Sequence, residues 1–302
     1  MQRRGSTRQA QHKCGMLHLP VEGLPSSPVS PKGKRREMPV TKEQLKKVWS
    51  LPNKGSFQPP AEAHHLCPGC GEPAAYRLVA ELMDEMNLRE RAVYVAGIGC
   101  YNGLGGYLNI DQMKALHGRA PSVATGVKRM LPDRFVFTIQ GDGDLVSEGL
   151  AEALHCAARG EKFTTILVNN TVNGETGGHM TATTLVGQKT KSTLQGRDAA
   201  VHGGPMKTAE LIAQLDGAAY SARGSVHSPV AINRTKRMIR RAFEAQEQKL
   251  GFSFVEILTM CPTGWFMEAW EAPKYMEDVM TKYFTLGEYK VHPLLLKSDA
   301  AS

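Results

Sequence analysis

GDGDLVSEGLAEALHCAARGEKFTTILVNNTVNGETGG, residues 141–178, is the stretch whose reading decides the fold. It is preceded by the apolar run RFVFTIQ (134–140) and contains a second one, KFTTILV (162–168). The residues between them, 147–159, suit a helix. The order therefore predicts a strand, a crossover helix and a second strand parallel to the first. Such a crossover brings the chain back to the edge of the sheet that it left. Gly141-Asp142-Gly143-Asp144 and Asn169-Asn170 then stand at that edge, with 25 residues between Gly143 and Asn169.

Two further runs, AVYVAGIG (92–99) and FSFVEIL (252–258), are continuous rather than alternating, as expected of strands covered on both faces. Helices are predicted at 73–86, 121–131, 208–217 and 231–249. The fold class is α/β, with an open, mainly parallel sheet and helices on both faces. Cys100 follows the first run and Cys261 the last. In open α/β sheets ligands bind outside the carboxyl ends of the strands, so candidate ligand groups gather along one edge.

The totals allow this. The chain has 302 residues, 41% of them hydrophobic, and 30 glycines, enough for a large buried core. No apolar run approaches the roughly 20 residues of a membrane helix. The net charge of +8 is concentrated in residues 1–37, which hold eight Lys or Arg and two acids. With no nucleic-acid motif in the body, the tail reads as solvated and no specific nucleic-acid partner is expected. The predicted organisation is a disordered or extraneous basic extension (1–37), an N-terminal arm (38–66), the α/β domain (67–290) and a C-terminal tail (291–302). A short helix is expected at 41–50. Six cysteines in a long chain without a secretory signal favour metal-ligating thiolates in a reducing cytoplasm over disulfides.

The opening stretch resembles the thiamine diphosphate motif, in which GDG precedes a pair of asparagines by some 25 residues. A diphosphate needs its charge offset, and Mg²⁺ held by oxygen ligands does that. Asp142 offers a carboxylate and Asn170 an amide oxygen. Gly141 and Gly143 leave the backbone bare enough for N–H groups to approach phosphate. An ordinary Gly-Asp turn with a surface asparagine pair is the competing reading. The strand before each half and Thr176-Gly177-Gly178 tell against it. A dinucleotide fingerprint fails in GIGCYNG, where Asn102 replaces the last glycine.

Cys67-Pro68-Gly69-Cys70 is a C-x₂-C turn that, alone, fits a zinc knuckle, a redox pair or a plain turn. No second C-x₂-C completes a zinc ribbon. Cys100 and Cys261 supply the further thiols that a Cys₄ [4Fe-4S] site requires. Cys156 reads as a small buried apolar residue. Cys14, His64 and His65 are given no role.

CPGCG (67–71), GIGC (97–100) and CPTGW (261–265) occur in this order in β subunits of 2-oxoacid:ferredoxin oxidoreductases. The chain resembles them from about Ala63 to Glu271. The resemblance implies that Cys67, Cys70, Cys100 and Cys261 bind a [4Fe-4S] cluster. It implies that Asp142, Asn170 and the carbonyl of Val172 bind Mg²⁺. Gly141, Asp142, Gly143, Asp144, Asn170, Thr176 and Gly177 are implied to meet thiamine diphosphate. HGRAPSVATGVK (117–128) resembles the pocket segment, making His117 and Arg119 catalytic candidates, with a salt-bridged loop as the alternative. The implied activity is oxidative decarboxylation of a 2-oxoacid with CoA to acyl-CoA and CO₂. Electrons would pass through the cluster to ferredoxin. A non-oxidative decarboxylase or carboligase subunit with structural cysteines is the alternative. An α subunit carrying the pyrimidine-binding domain is the implied partner, and the location cytoplasmic. 2-Oxoglutarate or branched-chain 2-oxoacids are favoured over pyruvate. Glu175, His179, Glu148 and Gly103 depart from the family pattern; a basic residue is frequent at the last of these positions.

Overall fold

A computed structural model describes residues 64–299. The expected extension (1–37), the helix at 41–50, Cys14 and nearly all of the arm lie outside the described residues. Helix α1 (Glu72–Glu85) leads to strands β1 (Ala92–Ala96) and β2 (Asp111–Lys114). Helix α2 (Ala120–Met130), strand β3 (Phe135–Gly141), helix α3 (Leu150–Arg159) and strand β4 (Thr164–Asn169) follow. A two-stranded excursion, β5 (Val172–Asn173) and β6 (His179–Met180), precedes helix α4 (Thr208–Ala213) and strand β7 (Ala218–Ser225). Helix α5 (Pro229–Glu247), strands β8 (Phe252–Leu258) and β9 (Gly287–Val291) and helix α6 (Pro293–Asp299) complete the order.

The main sheet has seven strands in the order β2-β1-β3-β4-β8-β7-β9. Each neighbouring pair is parallel except β7 with β9. Successive residues of a strand face opposite sides, and here both sides are covered. Phe135, Phe137, Ile166, Val168 and Val255 pack with α1 and α5, whereas Val136, Leu167 and Phe254 pack with α2, α3 and α4. That is why β1, β3, β4 and β8 read as unbroken apolar runs. Removing a ring such as Phe243, fully buried between α5 and the sheet, would cost about 3–5 kcal/mol.

Three strands lie outside the apolar runs. Strand β7 is buried along its whole length but carries Arg223 and Gly224. β2 is an exposed edge strand of sequence DQMK. β9 closes the other edge, and the stretch from 291, expected as a tail, is instead the end of that strand followed by α6, whose Leu295 is buried. The predicted helix at 147–159 starts later. Residues Gly143–Glu148 form a wider π turn, a local form frequent at functional sites. The helix begins only past Gly149, where the backbone of Gly118 leaves no room for a side chain.

Candidate active site at the carboxyl edge of the sheet

Strand β3 delivers Asp142 to the start of the π turn. Its carboxylate is buried and accepts hydrogen bonds from the hydroxyls of Thr181 (2.6 Å) and Thr183 (2.5 Å). Burial raises its pKa to about 6, and the two hydroxyls only partly oppose this. No Lys or Arg pairs with it among the described residues. Gly143 faces Asn173, whose Cγ would lie 3.0 Å from a β-carbon there.

Strand β4 ends at Asn169, and the chain turns sharply. Thr171 has φ +63°, a left-handed conformation strained for a β-branched residue. Two successive Asx turns hold it. Asn169 Oδ1 accepts from the Thr171 N–H (3.0 Å), and Asn170 Oδ1 accepts from the Val172 N–H (3.2 Å). Trp265 Nε1 donates to the Asn170 carbonyl at 2.7 Å. Asp142, Asn170, Val172, Gly174, Glu72 and Cys100 all line one small cavity at this edge. The crossover has brought the two halves of the motif together.

Glu72 begins α1 two residues after the C-x₂-C turn, and it is buried. Its Oε1 accepts from Asn170 Nδ2 at 3.4 Å, while Oε2 has no hydrogen-bond partner among the described residues. Burial, with the nearby Asp142 and Glu175, pushes its pKa up to about 8.

Cys100 lines the same cavity, and Cys261 stands beside it. The Cys70 N–H donates to the Cys67 carbonyl (3.1 Å), closing a turn with Gly69 at φ +78°. Cys100 stands after β1, and Cys261 caps a one-turn helix, Pro262–Trp265, after β8. A β-carbon on Gly174 would lie 3.4 Å from Cys100 Sγ and 3.7 Å from Cys261 Sγ, so both sulfurs face one small space. Burial, Glu72 and the neighbouring thiols push Cys100 up to about 12. Cys70 rises well beyond the usual thiol range, for burial and Glu72 chiefly. Burial, opposed by the Gly264 N–H, pushes Cys261 up to about 12, with Glu72 and Cys67 adding to the rise. One zinc ion would need its sulfur ligands at about 2.3 Å. Among the described residues no three His, Cys, Asp or Glu gather so as to hold a metal ion.

Several expected site residues have other roles. Asp144 does not face the cavity as a free ligand. Its oxygens accept from Gly118 N (2.6 Å), Tyr101 Oη (2.8 Å), Gln140 Nε2 (2.9 Å) and Ile98 N (3.2 Å). It anchors three segments to the π turn. His117 Nδ1 lies 2.8 Å from Asp144 Oδ1, without hydrogen-bond alignment, and 3.6 Å from Glu148 Oε2. It stays beside the site. Arg119 is half exposed and ion-paired with Glu152 of α3, the salt-bridged alternative. The cavity reaches Asn173, Gly174 and Glu175 but not Thr176 or Gly177. The Thr176 hydroxyl instead donates to the Asn173 carbonyl at 3.4 Å. Gly103 has a steric cause: the His65 ring fills the space of any side chain there, with Nε2 2.9 Å from the Cys100 carbonyl. Sequence reading passed over Glu72, Thr181, Thr183 and Trp265. Glu72, adjoining CPGCG, and Trp265, the last residue of CPTGW, had a positional signal.

Residues 97–257 match the family model of the thiamine pyrophosphate enzyme C-terminal TPP-binding domain. The ketoisovalerate oxidoreductase subunit VorA of Methanothermobacter thermautotrophicus is 39% identical over 255 residues, 83% of this chain and 53% of that protein. The 2-oxoglutarate synthase subunit KorB of Methanocaldococcus jannaschii is 34% identical over 203 residues, 66% of this chain and 70% of that protein. The chain thus spans about half the length of the VorA relatives it matches. Among solved structures, the 2-oxoglutarate:ferredoxin oxidoreductase of Magnetococcus marinus, with 2-oxoglutarate, coenzyme A and succinyl-CoA bound, superimposes with a TM-score of 0.64. It is 27% identical, and the match covers 74% of this chain and 72% of that one.

Proposed function

The chain belongs to the 2-oxoacid:ferredoxin oxidoreductase family, with a thiamine pyrophosphate enzyme C-terminal domain at its centre, and from that premise we propose that it houses thiamine diphosphate, Mg²⁺ and one [4Fe-4S] cluster side by side. The supporting observation is electrostatic. Asp142, Glu72, Glu175 and Cys100 line one cavity, with Cys261 bordering it, and no cation faces them among the described residues. A buried oxygen of Glu72 lacks a partner there. Such a cavity suits positively charged occupants, since burying unpaired anions is costly.

Asp142, the Asn170 amide oxygen and the Val172 carbonyl would hold Mg²⁺, a hard cation that prefers oxygen ligands. Asn170 Oδ1 has a second lone pair for this beyond its bond to Val172. Gly141 and Gly143 let the backbone approach the diphosphate. Cys67, Cys70, Cys100 and Cys261 would ligate the cluster, and iron would reverse the raised pKa of the buried thiols. Thiamine diphosphate, when bound, supplies the nucleophilic carbon and electron sink for decarboxylating a 2-oxoacid. The chain's own part is to seat that group beside a one-electron outlet, with Asp144 fixing the turn and His117 at the rim.

The proposed reaction is oxidative decarboxylation of a 2-oxoacid with CoA, giving acyl-CoA and CO₂ and reducing ferredoxin. An α partner with the pyrimidine-binding domain would complete the site in a cytoplasmic complex. Among the described residues no helix is long and apolar enough to cross a membrane. Cys100 and Cys261 facing one small space support the cluster reading, and the non-oxidative alternative gives them no such reason. The test is an anaerobic preparation of the chain with its partner. A brown protein with stoichiometric iron and sulfide, and CoA- and 2-oxoacid-dependent viologen reduction, is expected. A colourless protein with zinc, or decarboxylation without electron transfer, would refute the reading.

A further inference from the structure

We propose that Asn169, the first asparagine of the pair, is a positioning residue, and that with Glu256 and Arg223 it holds the turn presenting Asn170 and Val172. The inference rests on the reading that those two residues bind the cation.

Thr171 stands between the two with φ +63°. A β-branched residue enters that region only when its surroundings impose it. Asn169 Oδ1 supplies one restraint by accepting the Thr171 N–H at 3.0 Å. An amide can present oxygen or nitrogen, so something must orient it. Asn169 Nδ2 donates to Glu256 Oε1 at 2.7 Å, which leaves the oxygen facing Thr171. Arg223 Nε, on β7, in turn donates to Glu256 Oε2 at 2.9 Å. Asn169, Glu256 and Arg223 are all fully buried.

The far end of the chain of contacts is fixed too. Arg223 Nη1 bonds Glu210 Oε1 (2.9 Å) and the Tyr289 hydroxyl (2.7 Å), and its guanidinium lies 5.2 Å from the Phe284 ring centre. Three adjacent strands, β4, β8 and β7, therefore carry the orientation of one amide to a strained turn. The buried Arg223 takes one oxygen of Glu256, and the other oxygen decides which way Asn169 points. Outer residues that orient ligands in this way typically change metal affinity 10–100-fold when replaced.

The experiment measures Mn²⁺ affinity by EPR on the full chain at saturating thiamine diphosphate, with melting curves alongside. Asn169→Ala is expected to weaken Mn²⁺ binding about 10–100-fold. Glycine adopts φ +63° freely, so in a Thr171→Gly background the same replacement should cost only about threefold or less. Equal losses in both backgrounds, or no loss, would overturn the inference. Glu256→Gln keeps the volume but turns an amide N–H₂ towards a donor, so it covers the case in which Asn169→Ala fails to fold. It should weaken Mn²⁺ about tenfold, and unchanged affinity counts against the inference. A wild-type chain that binds no Mn²⁺ with thiamine diphosphate would overturn the underlying reading. Wild-type binding with unaltered variants would overturn this inference alone.

Discussion

Replacing Asp142 by Asn should stabilise the cation-free chain while weakening cation binding. The Asp142 carboxyl is buried, and its pKa stands at about 6 against the ordinary 3.8. At about 1.4 kcal/mol per unit, folding disfavours the ionised form by about 3 kcal/mol. Above pH 6 the group is ionised in both folded and unfolded chains, and the whole penalty applies. Between pH 6 and 4 the folded chain takes the proton first, so stability rises as pH falls. In EDTA the variant should gain up to about 3 kcal/mol over wild type at pH 7.5, the gain vanishing near pH 4. Glu72, also raised, bends both curves, so the difference between them is the informative quantity. Urea unfolding followed by circular dichroism at several pH values measures it. With Mg²⁺ and thiamine diphosphate the order should reverse, because a charged carboxylate holds the cation more tightly than a neutral amide oxygen. A variant less stable than wild type at pH 7.5 in EDTA, with the pH dependence unaltered, would refute the reasoning.

Asp144→Ala should behave in the opposite way: it strands four donors, two of them backbone N–H groups, and should cost about 3 kcal/mol or more in urea unfolding with or without cation. Arg119→Ala removes an exposed pair with Glu152 and should change stability by less than about 1 kcal/mol, leaving turnover of the assembled enzyme near wild type. Cys261→Ser should lose the cluster's EPR signal and viologen reduction yet keep Mn²⁺ bound with thiamine diphosphate, since the proposed cation ligands are oxygens.

Legibility in the sequence followed burial. Strands covered on both faces are mainly apolar and do not alternate, so β1, β3, β4 and β8 stood out. Strand β7 did not, because Arg223 interrupts it, and that charge is tolerable inside only through Glu210 and Glu256 from remote positions. The polar edges β2 and β9 leave no run. At the site, Asp142, Asn170, Cys100 and Cys261 could be picked because each follows a strand and carries a ligand-type side chain, and Cys67 and Cys70 because they form a C-x₂-C pair. Asp144 has the same address and chemistry, but its donors at residues 98, 101, 118 and 140 arrive only through folding. Thr181 and Thr183 reach the site from a loop of ordinary composition, where nothing local marks them.

The most direct measurement is EPR of the reduced chain with Mn²⁺ replacing Mg²⁺ and thiamine diphosphate bound. If Asp142 and Asn170 hold the cation beside the four thiols, the cluster signal should relax faster with Mn²⁺ than with Mg²⁺. A cluster signal indifferent to bound Mn²⁺, or Mn²⁺ binding without any cluster signal, would contradict the account.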